Sequence, residues 1–491
     1  MSVGGFVGRL FFKESKMRVL TDLEPKNVFS FFEDICSIPH PSYKEEKISN
    51  YLVEFAKARG LEHYQDELHN VIIIKEASEG YEDVEPIILQ GHMDMVCEKT
   101  PDCDKDMDEE GLDLLIDGDF ISAKGTTLGG DDGIAVAYAL AILDDDSLSH
   151  PRLEFVCTVC EEVGMEGATG IDVSMLKGKK LLNMDSEEEG VMLASCAGGC
   201  RADVKLPVER ETVSGTKLTV SLSGLTGGHS GSEIDKGRGN ANILMSRLLR
   251  DASAPVAIAS IDGGRKDNAI PRECTAQIIV APDEAAAVKA SIEQAAAEIA
   301  EEFKASDPDI KLTVSEETDC SESAISARVI ALIEALPNGI IRMSREIDKL
   351  VETSLNLGVL KSDDAAVTLR YAVRSSVGVA KKSLKNQLVC IAGAFAAEVT
   401  FEGDYPAWEY KKDSKLREDM VRIFEEMYGK KPTVEAIHAG VECGLLSGKI
   451  EGLDCISMGP DMYDIHTTEE KLSISSAKRS YEYILRVIAC K

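Results

Sequence analysis

Basic residues are in short supply. The chain has 491 residues, with 54 Lys and Arg against 86 Asp and Glu, a formal charge of −32. No basic run offsets that balance. Nucleic-acid binding needs a net basic surface or a basic stripe, and attachment to an anionic membrane needs a polybasic segment. Both classes are excluded. Long apolar runs are missing as well, so no stretch of about 18 residues is built to span a bilayer. Histidine is scarce, with eight in all. Cysteine lacks a disulfide pattern: the 13 residues are odd in number and irregularly spaced, whereas secreted disulfide scaffolds are short and Cys-dense. The thiols read as reduced and the protein as cytoplasmic. The opening, MSVGGFVGRLFFKESK, has Arg9 inside its apolar part and no small-residue cleavage site, so it does not read as a secretory signal. Residues 1–16 read as an N-terminal extension, with Met17 as an alternative start. No period of about 20–50 residues marks a solenoid.

What is present points to a globular protein, with 44% apolar and 29% charged residues. A helix is expected near Pro25–Ile35. Glu45–Arg59 carries apolar residues at helical spacing, while Val71–Ile74 and Ile87–Leu89 are short apolar runs that fit buried strands. Ile134–Leu143 reads as a buried helix, and Leu153–Val159 and Leu181–Asn183 as further strands. This alternation predicts an α/β layered unit. From about Arg201 the pattern changes. Strands are expected at Lys217–Leu225, Ala276–Val280, Lys311–Val314, Leu355–Leu360 and Val367–Val373. Amphipathic helices are expected at Asn242–Leu249, Glu284–Phe303 and Ser323–Leu336. The α/β signature returns after Gly403, with helices near Asp413–Tyr428 and Ser475–Ala489. The expected organisation is a discontinuous catalytic domain, 17–201 and 398–491, interrupted by an α+β insertion, 202–397. Acidic runs such as Asp102–Glu110 and Asp144–Asp146 read as solvated loops.

Chemistry-bearing residues gather at predicted strand ends. His92, in GHMDMV, follows the run Ile87–Leu89 and so stands where α/β sheets hold ligands. Asp94 two residues on could fix its second ring nitrogen; a histidine satisfied within the structure is the alternative. Asp131 and Asp132 lie in GTTLGGDDG before the apolar helix. A glycine loop with an N-capping Asp would explain them, but two adjacent carboxylates would repel a phosphate, which excludes a nucleotide cradle. Glu161 and Glu162 close a strand, and a solvated pair is the alternative there. Cys157 and Cys160 read as packing. Asp185 ends a third strand, and His466 follows near the C-terminus. Five ligands with one bridging carboxylate give three per ion, the open pattern of a catalytic site. Paired ions about 3.5–4 Å apart activate water and polarise a carbonyl, with a remaining Glu as proton shuttle.

Together these motifs resemble the cytosolic aminoacylhistidine dipeptidases of the dinuclear zinc metallopeptidase family. The likeness runs from Ile35 to the end, through CSIPHPS, GHMDMV, KGTTLGGDDG, EEVGMEGA, NMDSEEEG, GLTGGHSG, NAIPRE and IHAGVECGL. It implies a zinc-peptidase-like α/β/α catalytic domain with a mixed, mostly parallel sheet and an inserted α+β lid that also forms a homodimer. It implies His92, Asp131, Glu162, Asp185 and His466 as ligands of two divalent ions, zinc first and manganese or cobalt as alternatives. Asp131 is the implied bridge, with a cis peptide after it; Asp94 is the implied partner of His92 and Glu161 the general base. His229 corresponds to a lid histidine that stabilises the oxyanion, although by itself it reads as a turn residue. Asn268, Arg374 and Gly440 correspond to substrate-positioning residues, Arg374 as a carboxylate clamp. His438 and Glu442 match a loop beside the site. The chain departs from the family in Gly91 and Gly130, where Ala is usual, in Asp132, where Asn is common, and around His466. The implied activity is hydrolysis of Xaa-His and other dipeptides by metal-activated water. The alternatives are a tripeptidase or N-acyl amino acid amidohydrolase, or a non-catalytic peptide-binding protein on the same fold.

Overall fold

The computed structural model describes residues 18–491. Residues 1–16 and Met17 therefore lie outside the described residues. The chain forms two compact units: residues up to Ser195 with Tyr410–Ala436 and Val441–Lys491, and Cys196–Glu409 with Ile437–Gly440.

The first unit is built on an eight-stranded sheet. Its order is Glu62–Gln65, Val71–Lys75, Leu153–Thr158, Ile87–His92, Lys180–Asn183, Asp454–Ser457, Val191–Cys196 and Thr433–Ile437. The four central strands, from Leu153–Thr158 to Asp454–Ser457, run parallel. Antiparallel pairs flank them, so the sheet is mixed. The central strands are buried along their length, which is why they read as continuous apolar runs rather than alternating ones. Helix Gly130–Asp144 is buried from Gly130 to Leu143; a helix apolar on every side has to sit inside the core. Lys26–Cys36, Glu46–Arg59, Lys415–Tyr428 and Ile474–Ile488 instead bury one face each. A small sheet pairs Met462–Tyr463 and Lys471–Ser473 with the hairpin Leu114–Asp117 and Phe120–Ala123. It anchors both ends of the segment that carries His466.

The second unit is an antiparallel sheet with its own apolar core. Strand Gly198–Pro207 pairs with Ala366–Ser375 on one side and Glu398–Tyr405 on the other. Helices Ala241–Arg250, Ala285–Phe303, Arg328–Ala335 and Gly378–Ala394 complete it. One expectation is corrected here. Ser323–Leu336 is not a single helix, because the strand Lys311–Ser326 runs to Ser326 and only Arg328–Ala335 is α-helical. Ser323 and Ala324 pair with Thr212 and Glu211, and Ile325 and Ser326 with Ile258 and Ala257. Burial of Ala324 and Ile325 between those partners outweighs a helical spacing that continues into the next element. Eleven cysteines, Cys36, Cys157, Cys160 and Cys455 among them, are free thiols. Among the described residues, no helix is long and apolar enough to cross a membrane.

Candidate metal centre

Parallel register delivers the site. His92 is the last residue of Ile87–His92, which lies between Leu153–Thr158 and Lys180–Asn183. All three strands end on one edge of the sheet. Beyond the first neighbour the chain turns at Cys160, whose φ is 52°, and presents Glu161 and Glu162. Beyond the second comes Asp185. Asp131 and Asp132 open the buried helix with non-helical backbone angles, joined by a cis peptide.

The side chains converge on Asp131. Its Oδ1 lies 3.1 Å from His92 Nε2, and its Oδ2 lies 3.2 Å from His466 Nε2. Asp185 Oδ1 is 3.6 Å from His92 Nε2, and Glu162 Oε1 is 3.0 Å from His466 Nε2. One carboxylate thus spans two sets, His92 with Asp185 and His466 with Glu162. Ligand atoms of His92, Asp131 and Glu162 lie within 4.8 Å of one another, as do those of His92, Asp132 and Asp185. His466 is the exposed member, at 45% of its side-chain surface.

The electrostatics of these side chains suit a bound cation. Among the described residues, no lysine or arginine pairs with Asp131, Asp185, Glu161 or Glu162, and their ionic neighbours are the two histidines. Burial, with the Asp131 and Glu162 charges, pushes Asp185 up to about 6 against the pull of His92. Burial likewise raises Glu161 well above the usual range, helped by Asp185, Glu442 and Glu162. The nearby Asp131 and Glu162 carboxylates lift His466 to about 10. Burial works to raise Asp131, yet His466 and His92 hold it well below the ordinary carboxylate range. Several buried acids sharing two imidazoles remain short of positive charge. Glu162 Oε1 is buried and, despite its nearness to His466, makes no well-aligned hydrogen bond. Oxygen and imidazole donors of this kind suit zinc, manganese or cobalt.

Surrounding groups fix these donors in place. His92 Nδ1 sits 3.0 Å from the Asp94 carbonyl oxygen and 3.5 Å from Asp94 Oδ1. The Asp94 carboxylate accepts the Glu161 N–H at 3.0 Å and the Ser42 hydroxyl at 2.8 Å. Asp132 is fully buried; its Oδ2 accepts the His92 N–H at 3.2 Å. A Cβ on residue 91 would stand 2.5 Å from that same oxygen, which accounts for Gly91 beside Asp132.

Two buried acids brace the site: Glu470, which the sequence does not single out, and Glu442, which the resemblance places in a loop beside the site without a role. Glu470 accepts the N–H groups of Leu128, Gly129 and Gly130 at 2.7, 3.1 and 2.8 Å, and lies 3.5 Å from that of Asp131. The cap of the buried helix is therefore Glu470 rather than Asp131 or Asp132. Glu442 accepts from Gln90 at 2.5 Å and from Thr158 at 2.6 Å, and Gln90 accepts from Asn183 at 2.6 Å. This chain of bonds ties together the ends of three of the four central strands.

The sequence profile of peptidase family M20/M25/M40 matches residues 88–489. The chain belongs to that family. It is 36% identical over 467 residues to the cytosol non-specific dipeptidase of Escherichia coli, covering 94% of this chain and 96% of the relative. Its structure is similar to that of an aminoacylhistidine dipeptidase from Vibrio alginolyticus, with a TM-score of 0.89 and 34% identity over 96% of this chain and 98% of the other. Aminopeptidase PepT from Bacillus cereus shares the fold at a TM-score of 0.55 and 16% identity, covering 95% of this chain and 98% of that one.

The second unit of this M20/M25/M40 peptidase holds a second cluster of sequence-selected residues. His229 and Ala269 pair in a two-stranded ladder, and the Asn268 carbonyl accepts the Ser230 N–H at 2.8 Å. His229 Nε2 lies 3.5 Å from Arg374 Nη2, and Arg374 Nη1 lies 3.4 Å from the Tyr405 hydroxyl. Gly440 lies against the Tyr405 ring, so closely that a Cβ there would meet it at 2.8 Å. His229, Asn268, Arg374 and Gly440 thus belong to one neighbourhood. Burial and the Arg374 charge hold His229 below its ordinary value, so it is a neutral imidazole near pH 7.

Proposed function

We propose that this chain is a metal-dependent dipeptidase that acts in the cytosol on Xaa-His and other dipeptides. The observation that carries this reading is the Asp131 carboxylate reaching His92 with one oxygen and His466 with the other, beside a glutamate, Glu161, left outside both sets. The names of the Escherichia coli and Vibrio alginolyticus relatives supply the substrate class. Free thiols such as Cys36, Cys157 and Cys455 agree with a reducing compartment.

His92, Asp131 and Asp185 would hold one divalent ion, and His466, Asp131 and Glu162 the other, with zinc the first choice. When bound, two such ions polarise the scissile carbonyl and acidify a water. Glu161 takes the proton of the attacking water on its carboxylate and passes it to the leaving amine nitrogen. Asp94 keeps His92 in one tautomer and orientation. His229 stabilises the tetrahedral oxyanion. Arg374, Asn268 and Gly440 position the substrate, with Arg374 on its terminal carboxylate. The second unit takes the role of a lid and of the homodimer contact.

The test is a substrate panel offered to the metal-loaded protein: Xaa-His dipeptides, other dipeptides, tripeptides and N-acyl amino acids. Dipeptides should be cleaved with the highest kcat/KM. Cleavage of N-acyl amino acids alone, or of tripeptides alone, would replace this reading with the corresponding hydrolase.

A further inference from the structure

Resting on the dipeptidase reading, we propose that His438 is a specificity-determining donor that works beside Arg374 to hold the C-terminal carboxylate of the substrate. Nothing in the assignment above gives His438 a role. The inference starts from a ladder register. Ser354 and Arg374 are directly opposed on neighbouring antiparallel strands, so their side chains leave the sheet on the same face. The Ser354 hydroxyl lies 2.7 Å from His438 Nε2, which brings the imidazole to the face that carries the guanidinium.

Proton accounting then fixes the tautomer. Both residues are buried, and His438 Nε2 is the hydroxyl's hydrogen-bond partner. The hydroxyl donates to Nε2, because the opposite arrangement would leave its own proton without an acceptor. The ring proton therefore sits on Nδ1. That N–H is buried and unpartnered, and so is Arg374 Nε. Burial, and the positive charge of Arg374 with His229 beside it, pushes His438 down to about 3. The ring is thus a neutral donor at every pH at which the enzyme would work.

An unpartnered buried imidazole N–H, on the same face as a guanidinium whose own Nε–H is unpartnered, calls for an acceptor with two oxygens. Within this unit and among the described residues, no carboxylate pairs with Arg374, whose contacts to Tyr405 and His229 are long. The acid nearby, Glu233, is already engaged: its Oε1 is 2.9 Å from Arg238, and its Oε2 accepts the His229 N–H at 2.8 Å. Gly231 keeps the space open. A Cβ at that position would stand 3.1 Å from Arg374 Nε, 3.0 Å from His229 Cε1 and 2.5 Å from the His438 carbonyl oxygen. A dipeptide's terminal carboxylate supplies the two acceptor oxygens, and its C-terminal amide does not.

The experiment compares kcat/KM for one dipeptide and its C-terminal amide, using the metal-loaded full chain. Wild type should favour the acid. His438→Leu should lower the acid-to-amide ratio by roughly 10- to 100-fold, chiefly through KM. His438→Asn, whose amide N–H can replace that of Nδ1, should keep most of the ratio. Ser354→Ala, which frees the tautomer, should fall between. If His438→Leu does not fold, as judged by its melting curve, the Asn and Ala variants decide by the same ordering. An unchanged ratio in His438→Leu, with Arg374→Met collapsing it, would overturn the role of His438 and leave water as the occupant. A wild type that cleaves acid and amide equally would instead overturn the carboxylate clamp of the proposed function.

Discussion

The Asp94 carboxylate accepts the backbone N–H of Glu161 at 3.0 Å. Its Oδ1 also lies 3.5 Å from His92 Nδ1, so one side chain registers the end of the His92 strand against the turn that presents Glu161 and Glu162. Asp94→Ala releases the imidazole and the turn together. The expected result is weaker metal retention and a kcat lower by about 10- to 100-fold. Metal analysis after dialysis, alongside kcat, checks both. Full activity with full metal content would remove Asp94 from this role.

Glu161→Gln separates proton transfer from metal binding. The amide keeps the shape of the side chain and loses its basicity. Metal content should match wild type, while kcat falls by about 100- to 10,000-fold. A loss of metal with activity would mean that Glu161 is a ligand; an unaffected kcat would remove it as the base.

Much of this arrangement was legible because strand ends are legible. The apolar runs before His92, Glu161 and Asp185 announced three buried strands, and parallel pairing then placed their ends on one edge. Spacing left Asp131 and Asp132 equivalent. In the structure Asp131 faces the two histidine rings, and Asp132 turns to the His92 backbone. Glu470 is hidden for a different reason, and the role of Glu442, though the resemblance places it beside the site, is hidden for the same one. The two act on partners some 340 and 352 residues away, and a carboxylate defined by such distant groups looks like any other among 86. The strand character of 323–326 is not legible because its partners, near 211 and 257, are also distant in sequence.

Removing metal tests the bridge. A chelator should abolish activity, and added zinc should restore it. The holo form should also melt higher, since ions that bind the folded chain at about 100 times Kd add about 2.7 kcal/mol. Asp131→Ala should retain essentially no metal, because both sets lose a ligand. Asp185→Ala and His466→Ala each weaken one set and should keep about one ion per chain. Equal stoichiometry in all three variants would argue against a bridging Asp131.

His229 offers a pH readout away from the metals. Burial and the positive charge of Arg374 hold its pKa below the ordinary value, while Glu233 opposes them. Removing a cation favours the protonated ring, so Arg374→Met should raise the pKa of His229. The value should not fully reach that of a free imidazole, because burial persists. Following the His229 ring signal by NMR between pH 4 and 9 measures the shift. A pKa that stays put or falls would contradict the proximity of the two side chains.

Glu470 links two parts of the centre that are far apart in sequence. It accepts the amides of Leu128, Gly129 and Gly130, which fixes the backbone that leads to Asp131. It also lies four residues after His466, in the segment held by the small sheet. Glu470→Ala leaves those N–H groups without an acceptor in a buried loop, a loss of about 1–3 kcal/mol for each unsatisfied group. Glu470→Gln keeps one carbonyl oxygen and places an NH2 against amides that the second oxygen accepted, so it should rescue only in part. If Glu470 served the helix alone, both variants would melt lower and still bind two ions. Because its bonds set the bridging carboxylate, the expectation is that metal affinity falls along with the melting temperature, more in the alanine variant than in the glutamine one. Titrating apo-protein with zinc at a temperature where both variants remain folded distinguishes the two outcomes.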